Sequence, residues 1–100
     1  MSNVQQKLAV LTEIGAGNLV EHTINKLINM QMARYQAAIQ QIKRELREFE
    51  QRFQMSSEEC YQRFNTGELG DGADIFEWVS LYENVLLYQQ RLTVLGTAMQ

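Results

Sequence analysis

The fold is decided by the stretch YQAAIQQIKRELREFEQRF, residues 35–53, in which apolar side chains recur at alternating intervals of four and three residues. A repeat of this kind places these side chains on one face of a helix, as in a coiled coil. Ile28 and Met32 extend the repeat towards the N-terminus in the same register. The pattern therefore predicts one long helix over 18–55. Its apolar face consists of Tyr35, Ile39, Ile42, Leu46, Phe49 and Phe53.

A second repeat with the same spacing opens at Trp78 and predicts a helix over 74–96. Asp74, with Glu77 three residues later, resembles a capping box and follows the turn Gly70-Asp71-Gly72. Two apolar faces of similar length, joined by a turn, predict a long antiparallel helical hairpin. The second face includes Leu81, Val85, Tyr88 and Leu92.

The segments beside the two long helices are also predicted to be helical. Ser56 and Glu59 have the spacing of a capping box, and the apolar residues that follow predict a short helix over 57–65, with Gly67 as its C-cap. Within 1–17, an amphipathic helix is broken at Gly15-Ala16-Gly17, because glycine is unfavourable inside a helix.

We therefore expect one all-α domain over 1–100. A hairpin of two helices cannot cover its own apolar faces. Either residues 1–14 fold back as a third helix, or two copies pair into a dimeric four-helix bundle. We favour the dimer, in which the two apolar faces described above form a self-association seam.

Composition limits the class of protein. The chain has 100 residues, no proline, six glycines and a net charge of −3, which argues against a nucleic-acid partner. The charge is uneven, since residues 58–83 have seven acidic side chains against Arg63 alone, a net charge of −6. A single cysteine fits a reducing compartment, and the sequence has no apolar run long enough for a membrane span or signal peptide. A cytoplasmic location is expected.

The segment from Phe64 to Trp78 resembles a family of short helical prokaryotic proteins of antitoxin type, many of which are found beside small toxin genes. The shared features are a Ser-x-Glu-Glu-x-Tyr segment over 56–61 that includes Ser57, Glu59 and Tyr61, a Gly-Glu-Leu-Gly-Asp turn over 67–71, and a Phe-Glu-Trp helix start over 76–78. The similarity covers roughly residues 30–95. It implies a protein that binds and inhibits a cognate toxin.

The sequence does not favour catalysis or metal binding. Cys60 and His22 lie on different predicted helices, and no residue spacing supplies a group to orient them. Asp71, Asp74 and Glu77 lack the ligand spacing of an EF-hand and fit a turn followed by a helix start. We predict no enzyme activity, no cofactor and no metal site.

The candidate partner-binding residues lie at the acidic end of the hairpin. Carboxylates there could face a basic cleft, and exposed aromatic side chains are common interface anchors. Trp78 also opens the second repeat, so core packing is the alternative for this side chain. The candidates are Glu68, Asp71, Asp74, Phe76 and Trp78.

Two other functions compete with an antitoxin-like inhibitor. The first is a homo-oligomeric coiled-coil protein that has no toxin partner. The second is a nucleic-acid binder that uses Lys43, Arg44, Arg47 and Arg52. Glutamates alternate with these basic residues and would repel phosphates, and the sequence contains no helix-turn-helix pattern.

Overall fold

The structure is a computed structural model that describes residues 2–99. These residues form four α-helices and no strand. The helices are α1 (Val4–Glu13), α2 (Gly17–Phe53), α3 (Ser57–Asn65) and α4 (Ala73–Thr97). The predicted all-helical class is confirmed. The second copy of a four-helix bundle stays a prediction.

Helices α2 and α4 form an antiparallel hairpin. Phe49 and Phe53, near the end of α2, stack on Trp78 near the start of α4, with ring centroids 5.7 and 5.5 Å apart. Towards the other end, Tyr35 of α2 lies 5.2 Å from Tyr88 of α4. Because residues near the C-terminus of α2 contact residues near the N-terminus of α4, the two helices run in opposite directions. The two apolar repeats therefore face each other within one chain.

The two repeats pack against each other inside one chain, and their role as a self-association seam stays a prediction. Ile39, Leu46 and Val85 are buried in the hairpin core. The remaining seam side chains pack around that core or, like Tyr35, against α4. Most of these side chains are only partly buried. A heptad repeat shows that a helix face is covered, but it does not show which chain covers it.

The molecule is elongated. Helix α2 has 37 residues, about 55 Å at the usual rise per residue, and the whole chain measures 60 × 26 × 21 Å. Its radius of gyration is 20.0 Å, against roughly 13 Å for a compact domain of this length. The cause is that α4 is shorter than α2. Met99, just beyond α4, lies in the same groove as Met30 and Ala33, so the start of α2 extends past it.

The core lies at the end of the hairpin where α3 packs. Trp78 is fully buried, and Cys60 of α3 and Val79 of α4 are nearly so. Tyr61 of α3 packs against Tyr82 of α4, with ring centroids 5.2 Å apart. Helix α3 thus covers the side of α4 that α2 does not reach.

Ser57 joins three helices at this end. The Trp78 indole N–H donates to Ser57 Oγ at 2.8 Å. Ser57 in turn donates from its hydroxyl and its backbone N–H to Glu50 Oε2, at 2.7 and 3.0 Å. A buried hydroxyl and indole are costly unless they are hydrogen-bonded. This network satisfies both groups and fixes α3 against α2 and α4.

The helix ends agree only in part with the predictions. Ser56 caps α3 as expected, accepting from the Glu59 N–H at 3.0 Å, and Gly67 follows the helix with a positive φ of 80°. The predicted capping box at Asp74 is wrong, because α4 begins at Ala73 with Gly72 as N-cap and no side-chain cap. Helix α2 ends at Phe53, since Gln54 turns into the left-handed region with φ 55°.

Candidate protein-binding surfaces

Two surfaces lie at opposite ends of the hairpin. We call the first the acidic tip; it comprises residues 68–77, the α3–α4 connection and the first turn of α4. We call the second the N-terminal arm; it comprises residues 4–30, which are α1 and the first part of α2. The acidic tip contains four of the five candidate residues predicted from the sequence.

Trp78 is not available to a partner. Its exposed fraction is 0%, its ring is stacked on Phe49 and Phe53, and its only polar atom is bonded to Ser57. Its assignment as a partner-binding residue is therefore wrong, and the alternative, core packing, is what the structure shows. Partner binding at this end would have to use other side chains.

Phe76 is the exposed aromatic side chain of the acidic tip. It is 59% exposed, and one edge of its ring contacts Phe64 of α3, with centroids 6.4 Å apart. The contact with Phe64 limits the freedom of the ring, so little conformational entropy remains to be lost on binding. An exposed, pre-positioned aromatic ring is typical of an interface anchor.

The carboxylates of the acidic tip are partly neutralised. Asp74 forms an ion pair with Arg52, which reaches across from α2. Arg52 also lies over the Phe53 ring, 4.8 Å from its centroid. Glu68 lies 4.0 Å from Arg63. The sequence count of charges over 58–83 omitted Arg52, because only the fold brings that residue to this end.

Asp71 and Glu77 complete the charge of the tip. Both are exposed, Asp71 in the turn and Glu77 in the first turns of α4. Asp74 also lies in the first turn of α4, where negative charge favours the helix dipole. The result is an apolar ring beside several solvated carboxylates, an arrangement that is complementary to a basic surface with an apolar pocket.

The N-terminal arm was not identified from the sequence as a binding surface. None of residues 2–38 is buried, although the arm is rich in apolar side chains. Helix α1 has a defined cap at its N-terminus and a defined stop at its C-terminus. Asn3 and Gln6 form a reciprocal capping box, with two bonds of 2.8 Å, and Gly15 ends the helix with a positive φ of 90°. The arm is a well-formed helical segment with no core of its own.

His22 and Cys60 are far apart. His22 is exposed on the arm, whereas Cys60 is buried under α4 beside the end of α2. Glu50, the α2 residue bonded to α3, is 28 positions from His22, about 40 Å along a helix. The two side chains therefore cannot act together. Within residues 2–99, no three His, Cys, Asp or Glu side chains are grouped closely enough to bind a metal ion.

Cys60 provides a test of how firmly α3 is packed. Burial raises the pKa of its thiol, and the thiolate is the reactive form. We expect the native chain to react with an aromatic disulfide reagent at least tenfold more slowly than the urea-unfolded chain at pH 8. Equal rates in the two states would show that α3 opens freely.

Among the helices of residues 2–99, none combines the length and the hydropathy that spanning a bilayer requires. No family model, curated protein or solved structure matches the chain.

Proposed function

We propose that this chain is a non-catalytic protein-binding module, an antitoxin-like inhibitor whose acidic tip binds a basic surface of a cognate toxin. The observation that carries the proposal is the exposure of Phe76, 59%, beside the solvated carboxylates of Glu68, Asp71 and Glu77. The toxin as partner rests on the resemblance of residues 64–78 to antitoxin-type proteins. The core lies directly beside this surface, where the Trp78 indole N–H donates to Ser57 Oγ and joins α4 to α3.

Electrostatics and the apolar ring have separate roles in this proposal. Carboxylates around the rim attract a basic partner and speed the encounter, and salt weakens that attraction. The Phe76 ring supplies the affinity when it enters an apolar pocket. We therefore expect binding to slow as salt rises, while the dissociation rate depends mainly on Phe76.

A homo-oligomeric structural protein without another partner is the second candidate. The observation that favours it is the N-terminal arm, whose apolar side chains are exposed in the single chain. The two candidates use opposite ends of the molecule. One protein can therefore have both properties, and each can be tested separately.

The proposal is tested first by co-expression with the chain encoded by the adjacent gene. We expect the two chains to copurify, and we expect this chain to relieve growth inhibition caused by its neighbour. If the neighbour is toxic and its toxicity is unchanged, or if the two chains separate on a column at low salt, the antitoxin proposal is wrong.

Phe76→Ala tests the acidic tip directly. We expect it to weaken binding of the cognate chain by roughly 30-fold or more, as for a hot-spot residue. The helical circular dichroism and melting temperature should stay close to wild type, because the ring is mostly exposed. Binding is measured by isothermal titration calorimetry.

The matched control is Val94→Ala, which removes a side chain of similar exposure, 62%, from the other end of α4. It should bind the cognate chain with wild-type affinity. Equal losses for the two variants would show that the acidic tip has no special role in binding.

A further inference from the structure

We infer that the N-terminal arm binds the arm of a second copy of this chain, and that the two arms run antiparallel about a two-fold axis. This inference deepens the second candidate above, the homo-oligomeric protein. It does not rest on the antitoxin-like proposal, because the arm and the acidic tip are at opposite ends of the hairpin. The surface is also different from the seam predicted from the sequence, which is used inside the hairpin.

The first step is that the exposed apolar side chains of the arm require a packing partner. Helix α1 has only 10 residues, and isolated helices shorter than about 12–15 residues are marginal in water without packing of an apolar face. The arm nevertheless has no buried residue. Twelve large hydrophobic side chains are exposed among residues 2–99, and seven of them lie in the arm. These seven are Val4, Val10, Leu11, Ile14, Leu19, Leu27 and Met30.

The second step concerns area. Monomeric proteins rarely expose a contiguous apolar patch of more than a few hundred Å². Leu19 and Leu27 are 66% and 54% exposed, and the seven side chains together offer several hundred Å². That is the order of magnitude that each partner contributes to a stable interface, roughly 800 Å². Half-exposed neighbours such as Val20, Ile24 and Ile28 would add to it.

The third step is that the arm suits a second copy better than a charged partner. Its charged side chains are Lys7, Glu13, Glu21 and Lys26, with a net charge of zero when His22 is neutral. The rest of the chain has the whole net charge of −3. Two neutral arms approach without repulsion, whereas a strongly basic or acidic surface would gain nothing from this one. A self-complementary contact of this kind forms a closed two-fold dimer.

The fourth step sets the direction of the two arms. Residues 58–83 have a net charge of −6, reduced only in part by Arg52. A parallel pairing would bring both acidic ends to the same end of the dimer, where like charges repel. An antiparallel pairing puts them at opposite ends of the dimer, many times farther apart than the screening length of about 8 Å at physiological salt.

The oligomeric state of the full chain tests the inference. Sedimentation equilibrium at micromolar concentration should give a mass of twice 11.6 kDa. Leu27→Gln should weaken dimerisation roughly 100-fold, because an isologous interface contains each substitution twice. The emission maximum of Trp78 should stay that of wild type, since Leu27 is outside the core. Val94→Gln, which changes an equally exposed side chain of α4, should remain dimeric.

A wild-type chain that is monomeric at 100 μM, or a Leu27→Gln variant that dimerises like wild type, would overturn the inference. A third result would also overturn it: the wild type is a monomer that binds the cognate chain, and the Leu27→Gln variant no longer binds that chain. In that case the arm belongs to the cognate partner. Loss of cognate binding by Phe76→Ala in a protein that stays dimeric would support both proposals separately.

The direction of pairing is tested by spin labels on Glu68→Cys, with the buried Cys60 retained. Glu68 is at the acidic tip of a molecule 60 Å long. The antiparallel dimer predicts no distance between labels below about 60 Å, since the two-fold axis passes through the arms and each tip lies roughly 45 Å from it along α2. A peak at roughly 20–40 Å would show parallel arms and overturn the arrangement.

Discussion

Trp78→Ala is expected to lower the free energy of unfolding by about 3–5 kcal/mol, the usual cost of removing a buried aromatic side chain. The reason is local. The side chain is fully buried and stacks on Phe49 and Phe53, and its N–H donates to Ser57. Chemical denaturation followed by circular dichroism measures the change. A loss of less than 1 kcal/mol would mean that the end of the hairpin is not held as the structure describes.

Trp78→Phe separates packing from hydrogen bonding. It keeps an aromatic ring between the two phenylalanines but leaves Ser57 Oγ without its donor. We expect a smaller loss, about 1–3 kcal/mol, since a buried group loses a partner and a cavity forms where the larger ring had been. If the Phe and Ala variants are equally unstable, the Trp78–Ser57 hydrogen bond is more important than the stacking.

Leu46→Asp is expected to abolish cooperative unfolding of the hairpin. Leu46 is 6% exposed in the interface between α2 and α4. Burial of an unpaired carboxylate there, together with the lost apolar contacts, costs several kcal/mol. A domain of this kind has only about 5–15 kcal/mol of stability to lose. Thermal melting by circular dichroism should show lower helicity and no sharp transition.

Gln40→Asp is the matched control, because it places the same side chain in the same helix at an exposed position. It has a similar helix-propensity cost, which is a few tenths of a kcal/mol. It should melt within a few degrees of wild type. If Leu46→Asp melts like the control, the pairing of the two apolar faces is wrong.

The long helices could be predicted because their signal is periodic and repeated. Ile39, Leu46 and Val85 mark the covered faces by spacing alone, and the structure buries all three. Helix ends depend on single residues and were predicted less well. Gly72 is an acceptable N-cap for α4, but Asp74 two positions later has the stronger N-cap preference. A glutamine with positive φ after α2 goes against ordinary preferences. No pattern in the sequence identifies such positions.

The candidate surfaces were harder to predict than the fold. Trp78 and Phe76 are two positions apart and differ little in chemistry, yet one is buried and the other is exposed. Trp78 lies against Phe49 and Phe53 of α2, whereas Phe76 contacts only the edge of the cluster at Phe64 of α3. The Glu50–Ser57–Trp78 network also joins residues separated by up to 28 positions, with no local pattern to reveal it. Ser57 and Trp78 are among the residues on which the resemblance was based, and the structure gives them a role in the core.

The position of Trp78 determines what an optical measurement on this protein can report. It is the only tryptophan in the chain, so intrinsic tryptophan fluorescence reports on the end of the hairpin where α3 packs. Circular dichroism, in contrast, averages over every helix, including the N-terminal arm, which has no buried residue. Segments of different local stability open separately. Dilution that dissociates paired arms should therefore reduce ellipticity while the emission maximum stays unchanged, and the two spectra together would locate where the molecule begins to unfold.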